Sequence, residues 1–192
     1  MSGAGTSPEP LEAGSHAPAP DGSPPGAGIR AAVVTVSDKG YAGLREDSSG
    51  PVLRDLLREL GVEVGEPRVV PDEQPFIERV LRELADSGDV DLVLTTGGTG
   101  LAPRDRTPEA TTAVIDRPAP GFAEAMRAAS LAITSRAMLS RATSGVRGAT
   151  LIINMPGSPK ACREHFGVIA DSLPHAIETL TGSAHECATP EK

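Results

Sequence analysis

The chain has 192 residues, 21 of them Gly and 18 Pro, and its 18 Lys and Arg against 26 Asp and Glu leave a formal net charge of −8. That balance, with only Tyr41, Phe76, Phe122 and Phe166 as aromatics, argues against general nucleic-acid binding, and no run of about 18 apolar residues is present to cross a membrane. Cys162 and Cys187 form no CxxC pair, which excludes a disulfide framework or zinc site, and the N-terminus has neither the basic nor the apolar stretch of a secretory signal, so a cytoplasmic protein with no membrane partner is expected.

Residues 1–28 hold 6 Gly, 6 Pro, 5 Ala and 4 Ser, with Met1 and Leu11 as the large apolar residues. Such a segment buries too little surface to offset the entropy of ordering, and it is expected to be a disordered tail. One domain is expected over 29–182, followed by a frayed segment over 183–192. Ile29 to Ser37 is apolar and β-branched and predicts a buried strand. A polar loop follows over Asp38 to Gly50. Val52, Leu53, Leu56, Leu57 and Leu60 recur at helical spacing, with Pro51 in the first turn and Gly61 as the stop. Val62 to Val70 predicts a second strand ending at Pro71-Asp72-Glu73, and Phe76, Ile77, Val80, Leu81 and Leu84 mark a second helix.

Asp91 to Thr96 predicts a third strand that runs into Gly97-Gly98-Thr99-Gly100. Thr107-Pro108-Glu109-Ala110 opens a helix, with the Thr107 hydroxyl as its expected cap. Gly121 to Thr134 is helical by composition, and Ala149 to Asn154 predicts a fourth strand. Ser158-Pro159 begins a last helix carrying Phe166, Ile169, Leu173, Ile177 and Leu180, which Pro174 should kink or divide. Strand, loop and helix repeat, which predicts an α/β domain with a mainly parallel sheet and helices on both faces. Ligands of such sheets sit at the carboxyl ends of the strands.

Two strand-end loops can therefore receive an anion. Gly97-Gly98-Thr99-Gly100 fits either a plain tight turn or a nest of backbone N–H groups, and matches neither a Walker A loop nor GxGxxG. Pro156-Gly157-Ser158 fits either an ordinary helix cap or an anion site at a helix N-terminus. Asp38, Asp47, Asp72, Glu73 and Asp105 share these loops, where acids would repel an anion unless a divalent cation lies between. Mg²⁺ takes one or two carboxylates together with phosphate oxygens and water. Asp72 and Asp105, which end or follow strand-end loops, are the candidates for that role; the other acids read as solvated. The four histidines show no metal-ligand spacing, and Cys162 reads as a packed helix residue.

Thr35-Val-Ser-Asp38, Asp47-Ser-Ser-Gly-Pro51, Val70-Pro-Asp-Glu73, Thr95-Thr-Gly-Gly-Thr-Gly100, Arg104-Asp105-Arg-Thr-Pro-Glu-Ala-Thr111, Ala137-Met-Leu-Ser-Arg141 and Leu151-Ile-Ile-Asn-Met-Pro-Gly157 occur in that order. In these segments the chain resembles the MogA/MoaB family of molybdenum cofactor proteins, over roughly Arg30 to Leu180. The resemblance implies a three-layer α/β sandwich with a mainly parallel central sheet, and ATP and molybdopterin as substrates. It implies transfer of AMP from ATP to molybdopterin with Mg²⁺; the alternative is a catalytically silent pterin-binding scaffold. Some silent members have altered acids, whereas this chain keeps both Asp72 and Asp105. By the same resemblance Asp72 and Asp105 are the catalytic, metal-holding pair. Ser37, Asp38, Gly97, Gly98, Thr99, Gly100, Asn154, Pro156, Gly157 and Ser158 are the expected ATP and molybdopterin contacts. A homotrimer is the implied assembly, with a hexamer as the larger alternative, and hand-over to a metal-insertion protein follows from the same likeness.

Overall fold

Seven strands, β1 (Arg30–Val36), β2 (Glu63–Val64), β3 (Arg68–Val70), β4 (Leu92–Thr96), β5 (Arg117–Pro118), β6 (Ser144–Arg147) and β7 (Thr150–Met155), form one sheet in the computed structural model, which describes residues 22–182. The spatial order is β2-β1-β4-β7-β6-β5, and β3 lies beyond β2 along the same side of β1. The strands from β2 to β7 across the centre are parallel, while β6 runs antiparallel to β7 and β5 to β6. Register aligns the exits: Val36 faces Val70, Thr35 faces Thr96, and Thr96 faces Met155. The segments after β1, β3, β4 and β7 therefore leave from one edge.

The helices are α1 (Asp38–Tyr41), α2 (Ser49–Glu59), α3 (Gln74–Asp86), α4 (Thr107–Val114), α5 (Gly121–Leu131), α6 (Pro159–Ile169) and α7 (Leu173–Thr181). Successive strand residues point to opposite faces, and both faces are covered. Val33, Leu92, Leu94, Leu151 and Ile153 pack beneath Leu53 and Leu57 of α2, Met126 of α5, Phe166 of α6 and Ile177 of α7. Val34, Val36, Val93 and Ile152 pack beneath Ile77 and Leu81 of α3 and Ala110 and Val114 of α4. The expected three-layer sandwich is thus present. Each fully buried Leu contributes roughly 1.5–3 kcal/mol, against about 1 kcal/mol or less for an exposed ion pair, so these two cores hold the strand ends in place.

Several local expectations change. The segment expected to be a tail reaches residue 28, but only residues 1–21 of it lie outside the described residues, as do 183–192. Residues 22–28 are described: the Gly26 N–H donates to Leu60 O at 2.8 Å, and a side chain at Gly26 would collide with Val62. The loop after β1 contains α1, and α2 starts at Ser49 rather than Pro51 because the Asp47 carboxylate accepts from the N–H groups of Ser49 (3.1 Å) and Gly50 (3.0 Å). Val62 to Val70 is broken into β2 and β3 at Gly65-Glu66-Pro67. The helix expected to reach Thr134 ends at Leu131. Pro174 divides the last helix: α6 ends at Ile169, a 3-10 turn follows over Ala170–Ser172, and Pro174 sits in the first turn of α7, where its missing N–H costs nothing. Neither β5 nor β6 carries a strand signal of its own; Ser144-Gly145-Val146-Arg147 has no apolar run and is a strand because β7 pairs with it.

Candidate active site

The loop after β4 can exist only with glycine at its first two positions. Gly97 has φ +95° and Gly98 φ +64°. A Cβ at Gly97 would fall 2.3 Å from Val36 O; one at Gly98 would fall 2.4 Å from Thr107 Oγ1 and 3.4 Å from Asp72 Oδ1. A Cβ at Gly100 would fall 2.8 Å from Asp105 Oδ2, and one at Gly157 would fall 3.2 Å from Gly97 Cα. The missing side chains let five parts of the chain converge: the end of β1, Asp72, the glycine loop, the start of α4 and the Gly157 turn. Thr107 is not the cap of α4, since Arg106 holds that position. Its buried hydroxyl donates to Gly97 O (2.8 Å) and its N–H to Gly98 O (3.2 Å), clamping the glycines to the helix.

Asp38 and Asp72 bind each other through their backbones. The Asp38 N–H donates to Asp72 Oδ2 at 2.7 Å, and the Asp72 N–H donates to Asp38 Oδ1 at 2.9 Å. Burial, then the negative charges of Asp38 and Asp105, push the Asp72 carboxyl above its ordinary value. The Arg104 guanidinium grips Asp38 at two points, Nε to Oδ2 (2.6 Å) and Nη2 to Oδ1 (2.8 Å), and holds that carboxyl below the usual range. Arg104 also lies 3.7 Å from Glu73. Asp105 accepts the Ala102 N–H at 2.9 Å on the oxygen nearest Gly100. Asp47 differs from these acids: Oδ1 accepts the first N–H groups of α2 and Oδ2 accepts the Thr35 hydroxyl at 2.7 Å. Among the described residues, no group of three or more His, Cys, Asp or Glu is arranged to hold a metal ion.

The second loop carries no acid. Ser158 caps α6, accepting from the Ala161 N–H at 3.2 Å, and Pro159 follows at the first helical position, as expected. The Thr96 hydroxyl (2.6 Å) and the Cys162 thiol (3.1 Å) both donate to Pro156 O and fix the turn. Burial pushes the Cys162 thiol up to about 11, so it stays protonated and packs rather than attacks. Ser37 accepts from the Gly40 N–H at 3.1 Å as the cap of α1. A cavity of about 120 Å³ opens here between Ser37, Asp47, Ser49, Thr96, Gly97 and Gly157.

Asn154 departs from its expected place among the ligand contacts. It is fully buried; its amide donates to Thr95 Oγ1 (3.0 Å) and Thr111 Oγ1 (2.8 Å), and its carbonyl accepts the Thr143 N–H (3.3 Å). With its polar atoms satisfied inside the protein, Asn154 ties β4, β7 and α4 together beneath the site.

Residues 32–175 match the family described as "Probable molybdopterin binding domain". The chain belongs to this family. It is 46% identical over 168 residues to the molybdopterin adenylyltransferase of Haemophilus influenzae, an overlap of 80% of this chain and 85% of that one. To the molybdopterin adenylyltransferase of Escherichia coli K12 it is 40% identical over 174 residues, or 83% and 89% of the two chains. A crystal structure of the molybdopterin biosynthesis enzyme MoaB from Thermus thermophilus matches with a TM-score of 0.76 at 51% identity, over 80% of this chain and 97% of that one. Within this molybdopterin-binding domain, Arg104 and Arg141 take part in the site although residue type alone gives them no role there. A cation placed among loop acids was the available signal for Arg104. Arg141 closes one of the segments that carry the resemblance, but nothing local gave it a role, since its side-chain partners lie 32 to 41 positions away.

Proposed function

We propose that this protein transfers AMP from ATP to the phosphate of molybdopterin and releases pyrophosphate, a step of molybdenum cofactor biosynthesis. The observation that carries the reading is the pairing of two acids with two glycines of one strand-end loop: Asp72 beside Gly98 and Asp105 beside Gly100. The names of the adenylyltransferase relatives support it. Backbone N–H groups over Gly97, Gly98, Thr99 and Gly100 cradle phosphates of ATP. Gly157 and Ser158, with Pro156 setting the turn, hold the molybdopterin phosphate at the N-terminus of α6. Ser37 and Asp38 line the cleft between the two. A molybdopterin phosphate oxygen attacks the α-phosphorus in line. The new P–O bond forms as the bond to the α–β bridging oxygen breaks, and pyrophosphate leaves with that electron pair. No covalent enzyme intermediate is needed, and catalysis is positioning and charge neutralisation.

Asp72 and Asp105 would hold Mg²⁺, which when bound neutralises charge building up between the phosphates. The residues fit this ion: two carboxylates leave room for phosphate oxygens and water. The charges of Asp38 and Asp105 raise the Asp72 carboxyl while Arg104 opposes them, and a cation beside Asp72 would add to that opposition. Purified protein with molybdopterin, ATP and Mg²⁺ should form adenylated molybdopterin and pyrophosphate in equal amounts. Molybdopterin binding with no ATP consumed would instead identify a carrier. No helix among the described residues is long and apolar enough to cross a membrane; the proposed compartment is the cytoplasm, where ATP is available. A homotrimer is the proposed assembly, and exposed Leu101, Ile133, Met138 and Leu139 offer apolar surface for it. Light scattering after size exclusion measures the copy number, and co-purification with a metal-insertion protein tests the proposed hand-over.

A further inference from the structure

The bend carrying Asp105 has little of its own to hold it. Leu101 to Arg104 are exposed. Two hydrogen bonds lie within the bend: the Asp105 N–H to Ala102 O (2.9 Å) and the Ala102 N–H to Asp105 Oδ2 (2.9 Å). On either side of Asp105, Arg104 grips Asp38 and Thr107 clamps Gly97 and Gly98, but neither hydrogen-bonds the Asp105 backbone.

Arg141 adds a tie from the Asp105 backbone itself to the glycine loop. It lies just beyond a 3-10 turn over Ser135–Leu139 and reaches the bend from behind. Its backbone N–H donates to Thr99 O at 2.9 Å and its Nε to Gly100 O at 2.7 Å. Nη2 donates to Asp105 O at 2.6 Å, and Nη1 pairs with the Glu109 carboxylate in the first turn of α4. One side chain thus ties the entry of the bend, its exit and the helix that follows. The planar fork suits this work, since three donors at fixed angles satisfy three acceptors at once. The other Glu109 carboxylate oxygen is buried with no hydrogen-bond partner among the described residues, and Arg141, with the Glu109 N–H and the charge of Arg106, stabilises the ionised carboxylate.

We propose that Arg141 is a positioning residue for AMP transfer, aiming the Asp105 carboxylate at the phosphates held by the glycine loop. Three of its five N–H groups, one on each nitrogen, are engaged by protein, two of them on the backbone carbonyls of Gly100 and Asp105, so its route to the reaction runs through the placement of Asp105. This rests on the role given to Asp105 above. The same logic governs supporting shells elsewhere, where a misplacement of about 1 Å costs about 10²-fold in rate.

The test compares Arg141→Gln, Arg141→Lys, Asp105→Asn and the double variant Arg141→Gln/Asp105→Asn with the parent, using molybdopterin, ATP and Mg²⁺. Arg141→Gln should lower kcat about 10²-fold and raise the Mg²⁺ concentration needed for half-maximal rate, with molybdopterin affinity unchanged within about twofold. Arg141→Lys, which keeps the charge and loses the fork, should recover part of that loss. In the Asp105→Asn background, Arg141→Gln should add about twofold or less, because its route to the reaction is already cut. Amide exchange over residues 100–106 should quicken in Arg141→Gln. A folded Arg141→Gln with near-parental kcat, or a double variant showing the product of both losses, overturns the proposal; if Arg141→Gln does not fold, the same criteria apply to Arg141→Lys. Near-normal turnover in Asp105→Asn overturns the role of Asp105 and this proposal with it. Loss in Asp105→Asn with none in the Arg141 variants overturns this proposal alone.

Discussion

Asp47 and Asp105 both follow strands that end at the same edge of the sheet, yet their surroundings give them opposite work. Asp47 has both oxygens engaged inside the fold, one on the first N–H groups of α2 and one on the Thr35 hydroxyl. Asp105 makes one bond to its own bend and stands against Gly100, where no side chain intervenes. An acid whose acceptors are already used holds structure; an acid with an oxygen to spare beside a glycine gap can meet a ligand.

The largest expected effect is on the ligand-facing side. Asp105→Asn should reduce AMP transfer by about 10²-fold or more, the scale of one preorganised electrostatic contact, while thermal stability changes little because the residue lies in a bend. Turnover at limiting Mg²⁺ checks it, and a normal rate would erase the contrast with Asp47. Next, Gly100→Ala should lower transfer about tenfold, since the new methyl would force Asp105 to move. A crystal structure of that variant should show the carboxylate displaced.

Asp47→Ala sharpens the comparison from the other side. Losing the acceptor for the first N–H groups of α2 and for the Thr35 hydroxyl should cost about 1–2 kcal/mol of stability, the scale of a lost helix cap, visible as a lower denaturation midpoint, with the rate of the folded protein nearly kept. Equal losses of rate for Asp47→Ala and Asp105→Asn would mean that the two acids do not differ as described.

The smallest effect is a pH signature of Asp72. Its carboxyl is raised by burial and by neighbouring acids, so the folded chain holds this proton to higher pH than the unfolded chain. Stability is then unpenalised below the unfolded value and falls as pH rises through that value toward the raised folded one. Asp72→Asn removes the penalty. Its melting temperature should match the parent at acid pH and exceed it as pH climbs through that window, whereas a difference independent of pH would remove the electrostatic account of the site.

Much of this molecule was legible locally. The apolar runs at 29–37, 91–96 and 149–154 became β1, β4 and β7 because a strand buried on both faces needs an unbroken apolar sequence. Ser158-Pro159 and Gly61 placed helix ends through φ preferences and a hydroxyl cap, which neighbours one turn away decide. Asp72, Asp105 and the glycine loop were named from residue type and place in the chain. Tertiary structure decided what depends on distant partners. Thr107 looked like a cap and is a clamp on Gly97; Asn154 looked like a ligand contact and is an internal tie; β6 exists because β7 is there to pair with it. Place in the chain set Asp105 apart from Asp47, but Asp47 read as a solvated acid and instead has both oxygens engaged, because the fold brings the Thr35 hydroxyl and the first N–H groups of α2 to it. Local sequence sets conformational preference within a few residues, but hydrogen-bond satisfaction is settled by whatever the fold places within about 3 Å.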